Sequence, residues 1–194
     1  MKQHLINVYI FLIFTSGSVF SQVTSEQIHY GASSLSMAAS DIAIPKTSWS
    51  AFVNAAGIVD QQGVTFVASS QSHFSQDFLS HSLFGVQFKN SKYGSFGISF
   101  ENSSVDYSGN NLATETAIGI HQGISLRSDR NSSFSFGYGL KSYTVDYGSS
   151  AGPSGDGSDG IELGSLNALG LDVSFLGSLG KRIKVGAKAL NINS

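Results

Sequence analysis

Two glycine-framed motifs are where catalysis would first be sought in this chain. Gly148-Ser149-Ser150-Ala151-Gly152 has the G-x-S-x-G spacing that exposes a serine nucleophile when it sits on a sharp strand-to-helix turn. Here the neighbours are serine, glycine and proline, with no helix to follow, so the spacing comes from composition. Gly155-Asp156-Gly157-Ser158-Asp159-Gly160 has the G-x-G-x-x-G spacing that cradles phosphate at a helix N-terminus, and again no helix follows. Asp156, Asp159 and Glu162 could offer oxygens to Ca²⁺, but the EF-hand spacing is absent and a solvated loop is expected. His29, His73, His81 and His121 are not at metal-ligand spacing from one another. No enzyme, catalytic residue, metal site or cofactor is expected.

The composition narrows the class. Charged residues make up 12% of the 194, about half of the roughly 25% usual in soluble domains. The chain is polar instead through 36 serines and 22 glycines. Hydrophobics at 41% and aromatics at 11% are too many for a disordered chain. A net charge of −2 argues against a nucleic-acid partner. Without cysteine there is no disulfide scaffold, thiolate zinc site or lipoprotein anchor.

Residues 1–21 have the form of a secretory signal peptide. Lys2 and His4 precede the apolar run Val8 to Phe14, and Val19-Phe20-Ser21 offers a cut before Gln22. The run is too short to span a bilayer as a helix, which takes about 20 apolar residues. The mature chain would carry a net −3.

From Val64 onward the apolar period is two. Phe84, Val86 and Phe88 alternate with Gly85, Gln87 and Lys89; Phe96, Ile98 and Phe100 with Gly97, Ser99 and Glu101; Ile118, Ile120 and Ile124 with Gly119, His121 and Gly123, Gln122 being the exception on the apolar face. Phe134–Leu140, Leu169–Phe175 and Ile183–Ala189 repeat the pattern. Each segment is a strand with one apolar face and one small or charged face. A soluble sandwich would bury the apolar face, whereas an outer-membrane barrel would turn it to lipid around a polar lumen. The charge deficit favours the barrel. So do strands of about 15 residues (92–107, 113–127 and 132–147), against the roughly 5–6 usual in globular proteins. On the barrel reading Glu101, His121, Arg127, Lys141, Asp172, Lys184 and Lys188 have lumen-facing parity. Tyr138 has lipid-facing parity, while Tyr107 and Tyr143 fall on the opposite face.

The connections point the same way. Medium or long segments at 75–80, 108–112 and 148–166 alternate with short ones at 90–91, 128–131 and 178–181, in the phase of a barrel whose short turns face the periplasm.

Residues 31–57 carry a family resemblance. Gly31-Ala32-Ser33-Ser34-Leu35-Ser36-Met37-Ala38-Ala39-Ser40, leading to Asn54-Ala55-Ala56-Gly57, resembles the N-terminal signature of the FadL-like outer-membrane barrels, including the PorV/PorQ proteins of type IX secretion. Members read roughly G-A-R-A-x-G-M-G-G-A and then N-P-A-G. Gly31, Ala32, Leu35, Met37, Ala39, Asn54, Ala56 and Gly57 match, while Ser36 and Ala38 replace glycine, Lys46-Thr47 an acidic pair and Ala55 the proline. The ending Ile183–Asn191 is similar to a mid-barrel strand of the family. The resemblance implies that residues 22–60 form a plug inside a barrel beginning near residue 61. It also implies that Asn54 bonds locally and helps hold the plug to the wall, and that Gly57 supplies a turn with positive φ.

Together these features make the expectation an all-β, antiparallel up-and-down transmembrane barrel in the cell outer membrane. By resemblance it would pass hydrophobic small molecules or serve secretion-system proteins as an accessory. A secreted β-sandwich adhesin or binding module is the alternative. Seven strands are counted over 61–194, where bacterial single-chain barrels have an even number, so a half barrel is expected. It would be the N-terminal half of a longer protein, or a short relative that pairs with another chain.

Overall fold

The computed structural model describes residues 31–38, 40–44, 46–72, 77–90, 92–107, 109–155, 158–180 and 182–193. The expected signal peptide (1–21), His29, His73 and Asp156 lie outside the described residues. Among the described residues two short helices, α1 (Gly31–Ser36) and α2 (Ser50–Val53), and a 3-10 turn (Ala55–Asp60) precede the strands. Seven strands follow: β1 Val64–Ser72, β2 Leu79–Asn90, β3 Gly94–Tyr107, β4 Asn110–Ser128, β5 Ser132–Ser149, β6 Glu162–Leu179 and β7 Ile183–Ala189.

All seven lie in one antiparallel sheet in sequence order, an up-and-down meander curled into an incomplete barrel. The described strands form no second sheet, so the sandwich alternative is not the fold. β1 and β7 are its edges and do not pair with each other.

In the central strands β2 to β6 the alternation has a buried inside, and near the seated segment that inside is the polar one. Gln87, Ser95, Ser99, Glu101, His121, Lys141, Asp172 and Ser174 are buried, Lys141 only 2% exposed. The apolar face looks outward, where Ile120 is 62% exposed. Its side chains line up across the ladder: Phe66, Val86, Ile98, Ile120, Leu140 and Leu171 form one continuous outward rung. The sheet is thus inside-out relative to a soluble domain, whose apolar faces are the buried ones.

The inversion holds only for the half of each strand near the 91–93, 129–131 and 180–182 connections. Beyond it, the outward rung Ser70, Ser82, Asn102, Thr116, Thr144 and Asn167 is polar throughout. Cross-strand bonds tie it together, Asn102 Nδ2 donating to Thr116 Oγ1 at 3.0 Å and Thr144 Oγ1 to Asn167 Oδ1 at 2.8 Å. On the inward face at this level the rung is mixed: His81, Ser103 and Glu115 on β2 to β4 are polar, whereas on β5 and β6 apolar side chains return, Tyr143 and Val145 being buried and Val145 pairing with Leu166. β5 and β6 therefore exchange the polarity of their two faces partway along.

Three details differ from expectation. β4 begins at Asn110, so only residues 108 and 109 separate it from β3, and the medium connection expected at 108–112 is absent. Asn111 extends the ladder opposite Asp106, to which its Nδ2 donates at 2.9 Å, and the register slips between Val105 and Asp106. The long connection is shorter than expected, because β6 starts at Glu162 and pairs back to Ser149. Arg127, expected in the lumen, is not there. A bulge between Ser125 and Arg127 sets Arg127 opposite outward-facing Phe134, and its exposed guanidinium pairs with Asp129.

The glycines on the inward face have a steric cause. Residues 49–59 press into the concave side, and a Cβ at Gly85 would lie 2.6 Å from Phe52, at Gly97 2.9 Å from Ala51 and at Gly123 2.7 Å from the Ala55 carbonyl. Of the glycines facing this segment Gly137 is tightest, its Cβ position overlapping the Ala56 amide. Gly177, on the outward face, would meet nothing closer than 3.7 Å. Gly137→Ala is therefore expected to cost about 2–3 kcal/mol through overpacking against backbone that cannot rotate away, and Gly177→Ala less than about 1 kcal/mol. Thermal unfolding midpoints of the two variants check the difference.

Candidate functional site

The candidate site is the concave face and the segment seated in it. Phe52 and Ile58 are fully buried and, with Ala51, Val53, Ala55 and Leu83, form a small apolar core flanked by Trp49 and Val67. Packing of so few side chains leaves orientation to hydrogen bonds, and these run from wall side chains to plug backbone. Gln87 of β2 accepts from the Ala51 amide (3.2 Å) and donates to the Thr47 carbonyl (3.0 Å). Ser174 of β6 accepts from the Ala56 amide at 3.2 Å. Lys188 of β7 donates to the Phe52 carbonyl at 2.7 Å. Buried backbone groups that would otherwise go unsatisfied thus find partners on three strands.

Asn54 is the pivot of this arrangement. It is extended (φ −159°) between α2 and the 3-10 turn, and its Oδ1 accepts from the Ala56 amide at 3.1 Å. Its Nδ2 donates both to the Ile42 carbonyl at 2.8 Å and to the Phe175 carbonyl of β6 at 3.0 Å. One buried amide closes the turn, ties it to the preceding segment and fixes it to the wall.

Gly57 differs. It lies inside the 3-10 turn and is not among the positive-φ glycines; glycine is suited there because a Cβ would sit 3.0 Å from Ser50 Oγ. Gly31 does have positive φ (+73°), with the Trp49 indole where a Cβ would be. Met37 lies on the surface, 36% exposed, away from these contacts.

The lumen candidates divide. Glu101, His121, Lys141 and Asp172 come together under the plug. Lys141 lies between two carboxylates, 3.6 Å from Glu101 and 3.5 Å from Asp172, and all three side chains are at most 5% exposed. His121 Nε2 is 2.8 Å from Ser99 Oγ. Lys141 reaches across because its cross-strand neighbours are Gly119 and Gly170. Asp172 also accepts from the Asn191 amide at 3.0 Å. Lys184 is exposed near the 180–182 connection and Arg127 is outside, so neither joins the cluster.

Gln87 and Ser174 were not singled out in the sequence, although their parity placed them inward. Nothing in a strand pattern distinguishes a polar side chain that grips a plug from one that faces water. Among the motif residues, Asp159 Oδ1 accepts from the Ser154 amide (3.2 Å) and hydroxyl (2.5 Å), a use internal to the loop. Ser150 pairs with Ile161 at the base of the β5–β6 connection. No group of three or more His, Asp or Glu side chains fit to hold a metal occurs among the described residues.

The concave face anchors the seated segment and holds an ordered set of buried charges beside the Ser99–His121 hydrogen bond. Comparison with protein-family models, curated proteins and solved structures finds no match.

Removing the central cation tests the cluster. Lys141→Met strands two buried carboxylates and is expected to cost about 3–5 kcal/mol, whereas adding Glu101→Gln and Asp172→Asn should recover most of it. Denaturant midpoints of the single and triple variants measure both.

Proposed function

We propose that this chain is an outer-membrane β-barrel protein of the FadL/PorV-like class, exported through its signal peptide, that passes hydrophobic small molecules under the control of its plug. The observation that carries the proposal is the inverted face. A wall whose buried side holds Lys141, Glu101 and Asp172 and whose outer side exposes Ile98, Ile120 and Leu140 suits a solvent that is itself apolar. On β6 the outward apolar residues run from Leu169 to Leu179, about 34 Å of strand, or about 26 Å along the axis at a tilt near 40°, close to the roughly 25 Å band of such barrels. On β2 and β3 the band is three outward residues deep, bounded by Ser82 and Asn102. Lipid tolerates no open sheet edge, so β1 and β7 pair with further strands in the membrane form.

The choice between a transport role and an accessory role for secretion-system proteins turns on the inner wall beyond the plug. There exposed Leu166 and the half-buried Leu79–Val105 pair offer apolar surface to a ligand entering from the long-connection side, beside buried Tyr143 and Val145. A protein-docking role alone gives this surface no use.

Fractionation of expressing cells tests the membrane proposal. The chain is expected in the outer-membrane pellet, extracted only by detergent and running with a heat-modifiable mobility. A detergent-free soluble monomer overturns it. Retention of a fluorescent fatty acid by the purified protein, lowered at least fivefold by Leu166→Asp, is expected for transport, and retention unchanged by that substitution contradicts it.

A further inference from the structure

The charges of the described residues are sorted by end. Apart from Lys46 in the seated segment, Lys141 in the buried cluster and Lys188 on the plug, every described lysine and arginine lies at the short-connection end. Lys89 and Lys92 sit at the β2–β3 turn, Arg127 and Arg130 at the β4–β5 turn, and Arg182 and Lys184 at the β6–β7 turn, all of them exposed. The opposite end carries Asp77, Asp106, Asp146, Asp159 and Glu162, and no described lysine or arginine.

Among the described residues, Lys89, Lys92, Arg130, Arg182 and Lys184 make no ion pair, while Arg127 is taken by Asp129 at 2.6 Å. Like charges gathered at one end repel one another, and an acidic surface relieves that repulsion. Their placement says which kind of acid. Arg127, the outward cation, is already neutralised. Lys89 and Lys184 have inward parity, and Lys92, Arg130 and Arg182 sit in the turns, so the unpaired charge faces the end of the wall and not its outward apolar face. From the β2–β3 turn to the β6–β7 turn is four strand spacings, about 19 Å, too far for one small anion to bridge. The surface is also held in shape. Asn90 Oδ1 accepts from the Lys92 amide at 2.9 Å and the Tyr93 amide at 3.0 Å. The Gly180 amide donates to the Asn131 carbonyl at 2.6 Å, tying the β6–β7 turn to the β4–β5 turn. Between the first two turns and the seated segment lies a cavity of about 530 Å³, lined by Lys89, Lys92, Tyr93, Asp60 and the buried Ser95 and Ser135.

We propose that this end docks an acidic segment of a soluble protein in the compartment it faces. The segment lies across the three turns, and one of its carboxylates enters the cavity toward Lys89, where serine hydroxyls donate to it. Arginine and tyrosine preorganised beside a pocket are what protein interfaces are enriched in, and complementary charge across about 19 Å gives the encounter its speed and its selectivity. Docking here goes beyond the transport role, whose apolar surface lies at the opposite end. It needs only that the short-connection end meets water.

Fluorescence anisotropy of a labelled ten-glutamate peptide, about 33 Å long when extended, titrated with the full chain in phosphatidylcholine nanodiscs, tests the proposal. Binding is expected at low salt, weakening about tenfold at about 0.3 M salt. Lys92→Gln/Arg130→Gln/Arg182→Gln should weaken it at least tenfold, while Lys92→Arg/Arg130→Lys/Arg182→Lys keeps it. Arg127→Gln/Asp129→Asn, which deletes only the outward pair, should change it less than twofold. Triglutamate, too short to join the turns, should bind at least tenfold more weakly at equal glutamate concentration. No loss in the triple Gln variant overturns the proposal. So does equal binding of triglutamate, which assigns the charge to a small anion. Full displacement of the peptide by dioctanoyl phosphatidylglycerol at equal charge overturns it too, assigning the turns to an anionic leaflet. Should the triple Gln variant lose its heat-modifiable mobility, the Arg127/Asp129 variant and triglutamate decide. A soluble chain fails the membrane reading, and the same titration in buffer then tests docking alone.

Discussion

The contact between the Ala55–Ala56 backbone and Gly123 and Gly137 of the wall is what the rest of the molecule is arranged around. Main chain can approach main chain this closely only where the wall has no Cβ. Accepting the segment there buries the inward face of five strands, and with it every charged or polar side chain that has inward parity at that level. Those side chains then need partners. The Lys141 cluster and the grips of Gln87, Ser174 and Lys188 on plug backbone are the form those partnerships take. Burial of the polar face in turn leaves the apolar face without protein to cover it. A glycine-lined wall, a hydrogen-bonded plug and an apolar exterior are thus one arrangement.

The half of the sheet beyond the plug supports this account by doing the opposite. On β5 and β6, where no plug segment fills the concavity, the inward residues are Val145 and Leu166 and the outward ones Thr144 and Asn167. These two strands obey one rule near the plug and the converse rule away from it. A uniform β pattern would not produce such a switch. A change of surroundings partway along them would, from an apolar medium outside to an aqueous one.

Much of this was legible in the sequence, because alternation is a local signal and the strands are long. β3, β4 and β5 were located to within a few residues, and Glu101, His121, Lys141 and Asp172 were placed on the inward face by parity alone. Asn54 came from a resemblance and not from periodicity, and its bonds to Ile42 and Phe175 explain why asparagine serves there. Arg127 was misplaced since parity survives only as far as the next bulge, and one inserted residue turns a side chain to the other face. The brief β3–β4 connection was missed for a related reason: Asn110 and Asn111 look like loop residues, yet Asn111 extends the ladder through Asp106. The exchange of faces was written in the sequence at Ser142, Thr144 and Val145, but its meaning depended on knowing how deep the plug sits.

The central claim is that the outward band faces lipid while the outward polar rung beyond it does not. The chain has no cysteine, so a single Ile120→Cys or Thr144→Cys carries an environment-sensitive fluorophore to one defined position. In bilayers containing brominated lipid, the label at position 120 is predicted to be strongly quenched and the label at 144 barely at all. Equal quenching at the two positions, or none at position 120, would contradict the account.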